Sequence, residues 1–349
     1  MKAKYIQLAQ QLRWQLRQME IEGKTRLPSE AELCQRYSCS RQTVRKALEE
    51  LEQENLIIKR KGSGSYLSDG ARSRQVAVVT DCDDRYIYPR LLDDISGELA
   101  DAGYECLNYV THQSLVEERA ILQEILRRKP AGLILERVMS ALPSPNIDIM
   151  EQIRLSGICV VSLHAPWGEG NSLCVGDDNY GGGYMLAGYL LGEGRTSLAG
   201  IFKSDDMQGI ERYRGFISAL RDLDIPIPEN RIQWYSTQDL PALASGDLLE
   251  HFVSKRLGDA NGIVCYNDEV ASQLLRILQN HRRIVPDEVA VVSFDNSYLC
   301  DMGPIGITSL RHERHAVGRT AARTLLAHLY GRPARSAWLP WTLTKRHSG

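Results

Sequence analysis

Long apolar runs are missing from these 349 residues: none approaches the eighteen or more consecutive apolar residues of a membrane span. The opening MKAKYIQLAQQLRWQLR lacks the continuous apolar stretch of a secretory signal, so the chain is expected in the cytoplasm, with no membrane partner. Paired cysteines are missing too. The eight cysteines (Cys34, Cys39, Cys82, Cys106, Cys159, Cys174, Cys265 and Cys300) are scattered, form no CxxC and have no zinc spacing with histidine. They read as reduced, structural residues, which excludes a disulfide scaffold and gives no metal site. HExxH and GxSxG are absent. The run Asp177-Asp178-Asn179-Tyr180-Gly181-Gly182-Gly183 resembles a phosphate loop but fails GxGxxG, because Leu186 falls on the third glycine position, and no GK[ST] follows. Its glycines are expected to permit tight helix–sheet packing. No cofactor is implied, and an enzyme has little support.

What is present is ordinary for a folded protein: 43% apolar and 25% charged residues, with a net charge of −2. That charge is unevenly spread. Residues 1–70 carry 13 Lys and Arg against 9 Asp and Glu, whereas the remainder carries 29 against 35. A mildly basic head on an acidic body fits a small module that meets phosphate.

The head has a readable order. Tyr5, Leu8, Ala9, Leu12, Leu16 and Met19 recur at helical spacing and on one face. Ser29 with Glu32 forms a capping box opening a short second helix that ends near Tyr37, and Ser40 caps a third with Val44, Ala47, Leu48 and Leu51 inward. Leu56–Leu67 then reads as a β-hairpin with glycines at its tip. Helix–helix–turn–helix–hairpin is the order of a winged helix-turn-helix, whose recognition helix presents its N-terminal residues to the major groove. Here those are Ser40, Arg41, Gln42, Thr43 and Arg45. Arg can bond guanine and Gln adenine in bidentate fashion, Ser40 and Thr43 suit phosphate at a helix N-terminus, Gly62 and Gly64 allow close backbone approach, and Lys61 can reach phosphate or the minor groove.

The stretch LPSEAELCQRYSCSRQTVRKALEELEQENLIIKRKGSGSYL resembles the DNA-binding domain of the GntR family, through its LPSE opening, SRQTVRKAL helix and GSGSYL wing. The resemblance implies DNA contacts at Glu30, Arg41, Gln42, Thr43, Arg45, Lys61, Gly62 and Gly64, and a phosphate contact at Lys4. Asn55 stands where the family commonly has Gly, and Ser65 where Thr is usual.

After a short linker (71–74) the pattern changes. Strand-like runs at 75–80, 104–110, 131–136, 157–163, 197–202, 262–266 and 288–294 alternate with amphipathic segments. This predicts parallel sheets flanked by helices, in two units over residues 75–349. Ligands bind such sheets beyond the carboxyl ends of the strands. The residues there include Asp81 to Tyr86, Glu136-Arg137, His164 to Trp167, Lys203 to Asp206, Asn267 to Glu269 and Asp295 to Ser297. This mixture of polar and aromatic groups suits a sugar. Asp177, Asp178 and Asp268 read as helix caps.

The body resembles the LacI-type sensor, itself similar to periplasmic sugar-binding proteins, through DDNYGGGYMLAGYLLGEG, ERYRGFISAL, CYNDEVA, VPDEVAVVSFDNS and TSLRHERHAVGRTAARTL. A GntR head on a LacI-like body is the combination seen in arabinose repressors, which GIFKSDDMQGIERYRGF and CYNDE also resemble. The resemblance implies effector contacts at Arg212, Asn267 and Asp295. It further implies His312 where Gln is more usual, Glu136 where Asn often stands, and His164 where sugar-binding relatives often carry Asp. Tyr86 and Tyr88 would stack on the sugar or close over it. The expectation is a transcriptional repressor that binds operator DNA as a homodimer and responds to a sugar, L-arabinose first. Another sugar, a phosphosugar or a purine remains open as effector, with Arg212, Arg137 and Lys203 as possible cations. An enzyme with a DNA-binding head is the rival from another class.

Overall fold

The computed structural model describes residues 4–21, 24–54, 56–60, 62–68, 74–168, 172–226, 229–313 and 315–349. The N-terminal unit contains α1 (Lys4–Ile21), α2 (Glu30–Tyr37), α3 (Arg41–Gln53) and an antiparallel hairpin of β1 (Ile57–Arg60) and β2 (Gly64–Leu67). The capping box is formed: the Ser29 amide donates to Glu32 Oε2 at 2.7 Å, and the Glu32 amide donates to Ser29 Oγ at 3.3 Å. Ser40 caps α3 by accepting from the Thr43 amide. The apolar faces meet in one core of Leu8, Leu12, Leu16, Leu33, Val44, Leu48, Leu51 and Ile57. Gly62 and Gly64 sit at φ +76° and +112°, backbone that a side chain at the hairpin tip would strain.

The body continues with β3 (Gln75–Thr80), α4 (Tyr88–Asp101), β4 (Glu105–Val110), α5 (Leu115–Arg128), β5 (Gly132–Glu136), α6 (Ile147–Ser156), β6 (Cys159–Leu163) and β7 (Leu173–Asp177). Then come α7 (Asn179–Gly192), β8 (Leu198–Lys203), α8 (Met207–Asp222), β9 (Ile232–Tyr235), α9 (Leu240–Ser245), α10 (Asp247–Lys255), β10 (Gly262–Cys265) and α11 (Asp268–Asn280). The last elements are β11 (Ala290–Phe294), α12 (Leu299–Met302), β12 (Thr308–Arg311), α13 (Ala316–Leu329), β13 (Ala337–Leu339) and β14 (Thr342–Thr344).

Two six-stranded sheets result, ordered β13-β7-β6-β5-β3-β4 and β14-β12-β11-β10-β8-β9. Every neighbouring pair is parallel except β12 with β14. The chain passes between the lobes after β7, after β12 and after β13. All seven predicted strand runs form strands. β7, β9, β12, β13 and β14 were not foreseen.

The glycines of α7 do more than expected. A Cβ on Gly182 would strike Phe294 and Trp341 of the sheet, as the helix–sheet expectation has it. But a Cβ on Gly183 would lie 2.0 Å from the Arg212 carbonyl, and one on Gly215 1.9 Å from that of Tyr180. These two glycines let α7 and α8 touch backbone to backbone, which holds Arg212 against the sheet. All eight cysteines are free thiols. Among the described residues, no helix is long and apolar enough to cross a membrane.

Candidate functional site

In the head, the first turn of α3 presents Ser40, Arg41, Gln42 and Arg45 to solvent, with Thr43 half-buried. Val44, Ala47 and Leu48 on the opposite side anchor the helix in the core. The Ser40 hydroxyl lies 2.9 Å from that of Thr43. Arg45 Nε donates to Glu30 Oε2 at 3.0 Å, so α2 orients the Arg45 side chain through the residue that opens it. Lys4 is exposed at the start of α1, and Gly62 and Gly64 are exposed at the wing. Lys61 and Asn55 lie outside the described residues. The head thus brings the recognition turn, Glu30 and the wing glycines into one small unit.

In the body, a cavity of about 600 Å³ opens at the carboxyl ends of the parallel strands of both sheets. All eight predicted effector residues line it: Tyr86, Tyr88, Glu136, His164, Arg212, Asn267, Asp295 and His312. Asp81, Asp177, Lys203, Asp206, Tyr235, Tyr266 and Glu269 line it as well.

Arg212 is the centre of the second lobe's wall and is 1% exposed. Its guanidinium donates to Asn179 Oδ1 at 2.9 Å, to the Tyr266 carbonyl, to Gln208 Oε1 at 3.2 Å and to Asp295 Oδ1 at 3.3 Å. Its flat face lies 4.2 Å from the Phe294 ring and 4.9 Å from the Tyr266 ring. Burial alone would lower its pKa, but the charge of Asp295 and other neighbours raises it on balance. In the first lobe, Glu136 accepts from the Asp81 amide and from the Tyr88 hydroxyl, both at 3.2 Å. Burial, reinforced by the Asp81 charge, pushes the Glu136 carboxyl well above its ordinary range. Asp206 has the opposite balance. Burial raises it, yet Lys203 and hydrogen bonds from Tyr266, Ser140 and the Gln208 amide hold it below the usual carboxylate value.

The lobes also bond directly across the cavity. The Tyr86 hydroxyl donates to Asp295 Oδ2 at 2.5 Å and accepts from the Asp268 amide. Ser140 Oγ donates to Asp206 Oδ1 at 2.9 Å and accepts from the Met207 amide. Tyr86 therefore links the two lobes across the cavity.

Several expectations need correction. Asp178 is the cap of α7, but Asp177 is not a cap: it is 4% exposed and faces the cavity. Asp268 is buried and structural as expected, yet it accepts from Ser293, Ser309 and the Ser297 amide instead of capping α11. That cap is Asn267, whose Oδ1 accepts from the Val270 amide while its amide nitrogen donates to Glu269 Oε2 at 3.3 Å. Arg137 is not in the cavity wall, because its guanidinium donates to the Pro166 and Leu142 carbonyls. Trp167 is 6% exposed within the apolar core of the first lobe. Sequence reasoning set Asp177 aside as a cap and took Tyr266 into a strand run, and it placed Asp81 and Asp206 beyond the strand ends without choosing them as effector contacts. The signal was position: Asp177 ends β7, Asp81 and Tyr266 directly follow β3 and β10, and Asp206 both lines the cavity and caps α8.

Burial pushes Asp177 up to about 6, against the lowering influence of His164 and Arg212. A carboxyl raised on folding binds protons more tightly in the native state, so it costs stability above its folded pKa and nothing once protonated in both states. Asp177→Asn is therefore expected to be more stable than the parent above pH 6, by about 1–3 kcal/mol. The difference should shrink as pH falls toward 4. Urea denaturation of both proteins at pH 7.5, 6 and 4.5 measures it, and a gap that widened on acidification would contradict the assignment.

Residues 4–67 match the family of bacterial regulatory proteins of the GntR type, and residues 187–349 match the periplasmic binding protein-like domain. The arabinose metabolism transcriptional repressor of Halalkalibacterium halodurans is 31% identical over 336 residues, covering 94% of this chain and 89% of that one. That of Geobacillus stearothermophilus is 30% identical over 331 residues, covering 93% and 90%. Among solved structures, a transcriptional regulator CelR–cellobiose complex aligns at TM-score 0.70 and 22% identity, over 88% of this chain and 90% of that one. CcpA of Lactococcus lactis aligns at TM-score 0.70 and 21% identity, over 79% and 99%. These two show a shared fold. With a formed winged helix, a two-lobed cavity and full-length relatives of one kind, the chain belongs to the family of the arabinose metabolism transcriptional repressors, DNA-binding regulators rather than enzymes, which join a GntR-type head to a LacI-like sugar-binding body.

Proposed function

We propose that the effector is a neutral pentose, L-arabinose first, held in the cavity between the lobes, and that its binding changes the placement of the DNA-binding heads in a homodimer on a pseudo-palindromic operator in the cytoplasm. The observation that carries the ligand class is the chemistry of the wall. Asp81, Glu136, Asp177, Asp206, Glu269 and Asp295 face a cavity of about 600 Å³. Its two buried cations are already met by carboxylates, Lys203 by Asp205 and Asp206 and Arg212 by Asp295. Hydroxyl groups donate to such a surface, whereas a phosphate would meet mostly like charge, because the lining's other arginines, Arg85, Arg90 and Arg311, are all exposed rather than gathered in the buried wall. Arabinose itself is supported by the two relatives. On DNA, Arg41, Gln42 and Arg45 would read base edges. Glu30 would hold Arg45 in place at the DNA surface. Lys4, Ser40, Thr43, Lys61 and the Gly62 and Gly64 backbone would meet phosphate.

A ligand that binds only the folded state raises its stability, by about 2.7 kcal/mol at a hundredfold excess over Kd. A thermal-shift screen of pentoses, hexoses, sugar phosphates and purine nucleotides is expected to single out one pentose. If nucleotides or sugar phosphates alone moved the melting curve, the effector assignment would be wrong.

A further inference from the structure

We propose that Asp177, flanked by His164 and His312, is a specificity-determining acceptor that takes two adjacent hydroxyls of the effector and rejects analogues lacking either. The inference rests on the reading of the cavity as a sugar site. Asp177 Oδ1, His164 Nδ1 and His312 Nδ1 are buried with no hydrogen-bond partner in the protein. All three residues line the cavity. His164 Nδ1 stands 3.8 Å from Asp177 Oδ2, and His312 Nδ1 stands 3.5 Å from Asp177 Oδ1. Those gaps are too long for good hydrogen bonds. Buried polar atoms are nearly always paired, so three unpaired ones within one part of the cavity mark a place where a ligand supplies the partners.

The arrangement is built into the backbone. Asp177 ends β7, and His164 follows β6 in the left-handed region at φ +60°. The His164 amide donates to the Val175 carbonyl at 2.9 Å. Between them, a Cβ on Gly176 would lie 2.9 Å from His164 Cα, so a glycine lets the two side chains stand next to each other. His312 comes from the other lobe, after β12, with its ring 5.5 Å from that of Trp341. A ligand at Asp177 therefore touches both lobes.

The chemistry selects the occupant. Burial lowers the pKa of both histidines, so they are neutral near pH 7 and do not neutralise Asp177. An ionised carboxylate only accepts hydrogen bonds, and a neutral imidazole offers one donor and one acceptor. A hydroxyl can donate to the carboxylate while pairing with the ring beside it, and each oxygen of Asp177 has its own histidine. Two neighbouring hydroxyls fill both positions, and a ligand without a donor fills neither. A site built to bond a hydroxyl rejects the analogue lacking it, because its own buried groups are then left unpaired.

The test is titration calorimetry of the full chain with the pentoses, their epimers and their singly deoxygenated analogues, comparing the parent with Asp177→Leu and Asp177→Asn. The parent should discriminate by at least about tenfold at two adjacent hydroxyl positions, and Asp177→Leu should bring those ratios to within about threefold while keeping selectivity elsewhere on the ring. Asp177→Asn, which keeps size and hydrogen bonding, should fall between them. Melting curves establish that both variants fold. A uniform loss across the panel, or no change, would overturn the proposal. So would stoichiometric Zn²⁺ binding by the parent that Asp177→Leu abolishes without altering sugar selectivity, since two histidines and a carboxylate also suit that ion. A parent that binds no sugar of the panel would overturn the sugar reading itself, an outcome distinct from intact binding with unaltered selectivity.

Discussion

Arg212→Met is expected to lower the melting temperature by roughly ten degrees and to abolish sugar binding. Methionine fills much of the space between the Phe294 and Tyr266 rings but provides no charge. Asp295 and the Asn179 side chain then lose the guanidinium that they share. Breaking a buried pair by removing one partner costs about 3–5 kcal/mol, mostly because the surviving charge is left without compensation. This attribution makes a second result follow: Asp295→Asn in the same chain should recover part of the loss, since it removes the stranded charge. Scanning calorimetry of the two single variants and the double variant closes the cycle, and sugar binding is measured well below each midpoint. A midpoint for Arg212→Met within a degree or two of the parent would show that the network does not hold the wall.

Arg45→Ala should weaken operator binding by about 1–3 kcal/mol per head, roughly fivefold to 150-fold, and in the proposed dimer both heads contribute. The side chain is 64% exposed and packs in no core, so the melting temperature and sugar affinity should stay unchanged. Lys4→Ala is the contrast. A phosphate contact carries no sequence information, so its loss should weaken all DNA alike and flatten the salt dependence by about one counterion. Fluorescence anisotropy on operator and scrambled duplexes at two salt concentrations separates them. If Arg45→Ala weakened both duplexes equally, its role would be that of a phosphate clamp.

Much of this is legible in the sequence. The seven strands read from sequence are apolar runs flanked by turn residues, a pattern that central parallel strands require because both faces are covered. β9, β13 and β14 are edge strands of three or four residues, and β7 (Leu-Cys-Val-Gly-Asp) and β12 (Thr-Ser-Leu-Arg) carry too few apolar residues in a row to show as a run. In the cavity, Arg212 and Asp295 were found through the family pattern, and their mutual contact confirms that they share one place. Asp177 was not found, because the acidic pair Asp177-Asp178 offers two candidates for one cap. Only the end of β7 decides which carboxylate turns inward. Asn267 shows the converse: one side chain both caps a helix and lines the cavity, two roles that sequence reasoning treated as exclusive.

The order in which the chain visits the lobes has a consequence in time. The first lobe's core combines Val76, Ile95, Ile134 and Val161 with Val317, Ala321, Leu325 and Leu329 of α13. About 140 residues of the second lobe separate β7 from that helix. At ribosomal speeds of about 5–20 residues per second, the half-built lobe waits roughly 7–30 s with an apolar sheet face uncovered. The lobe begun first is thus completed only after most of the other, and cellular yield of this regulator should depend on what shields that face while the rest of the polypeptide is still being made.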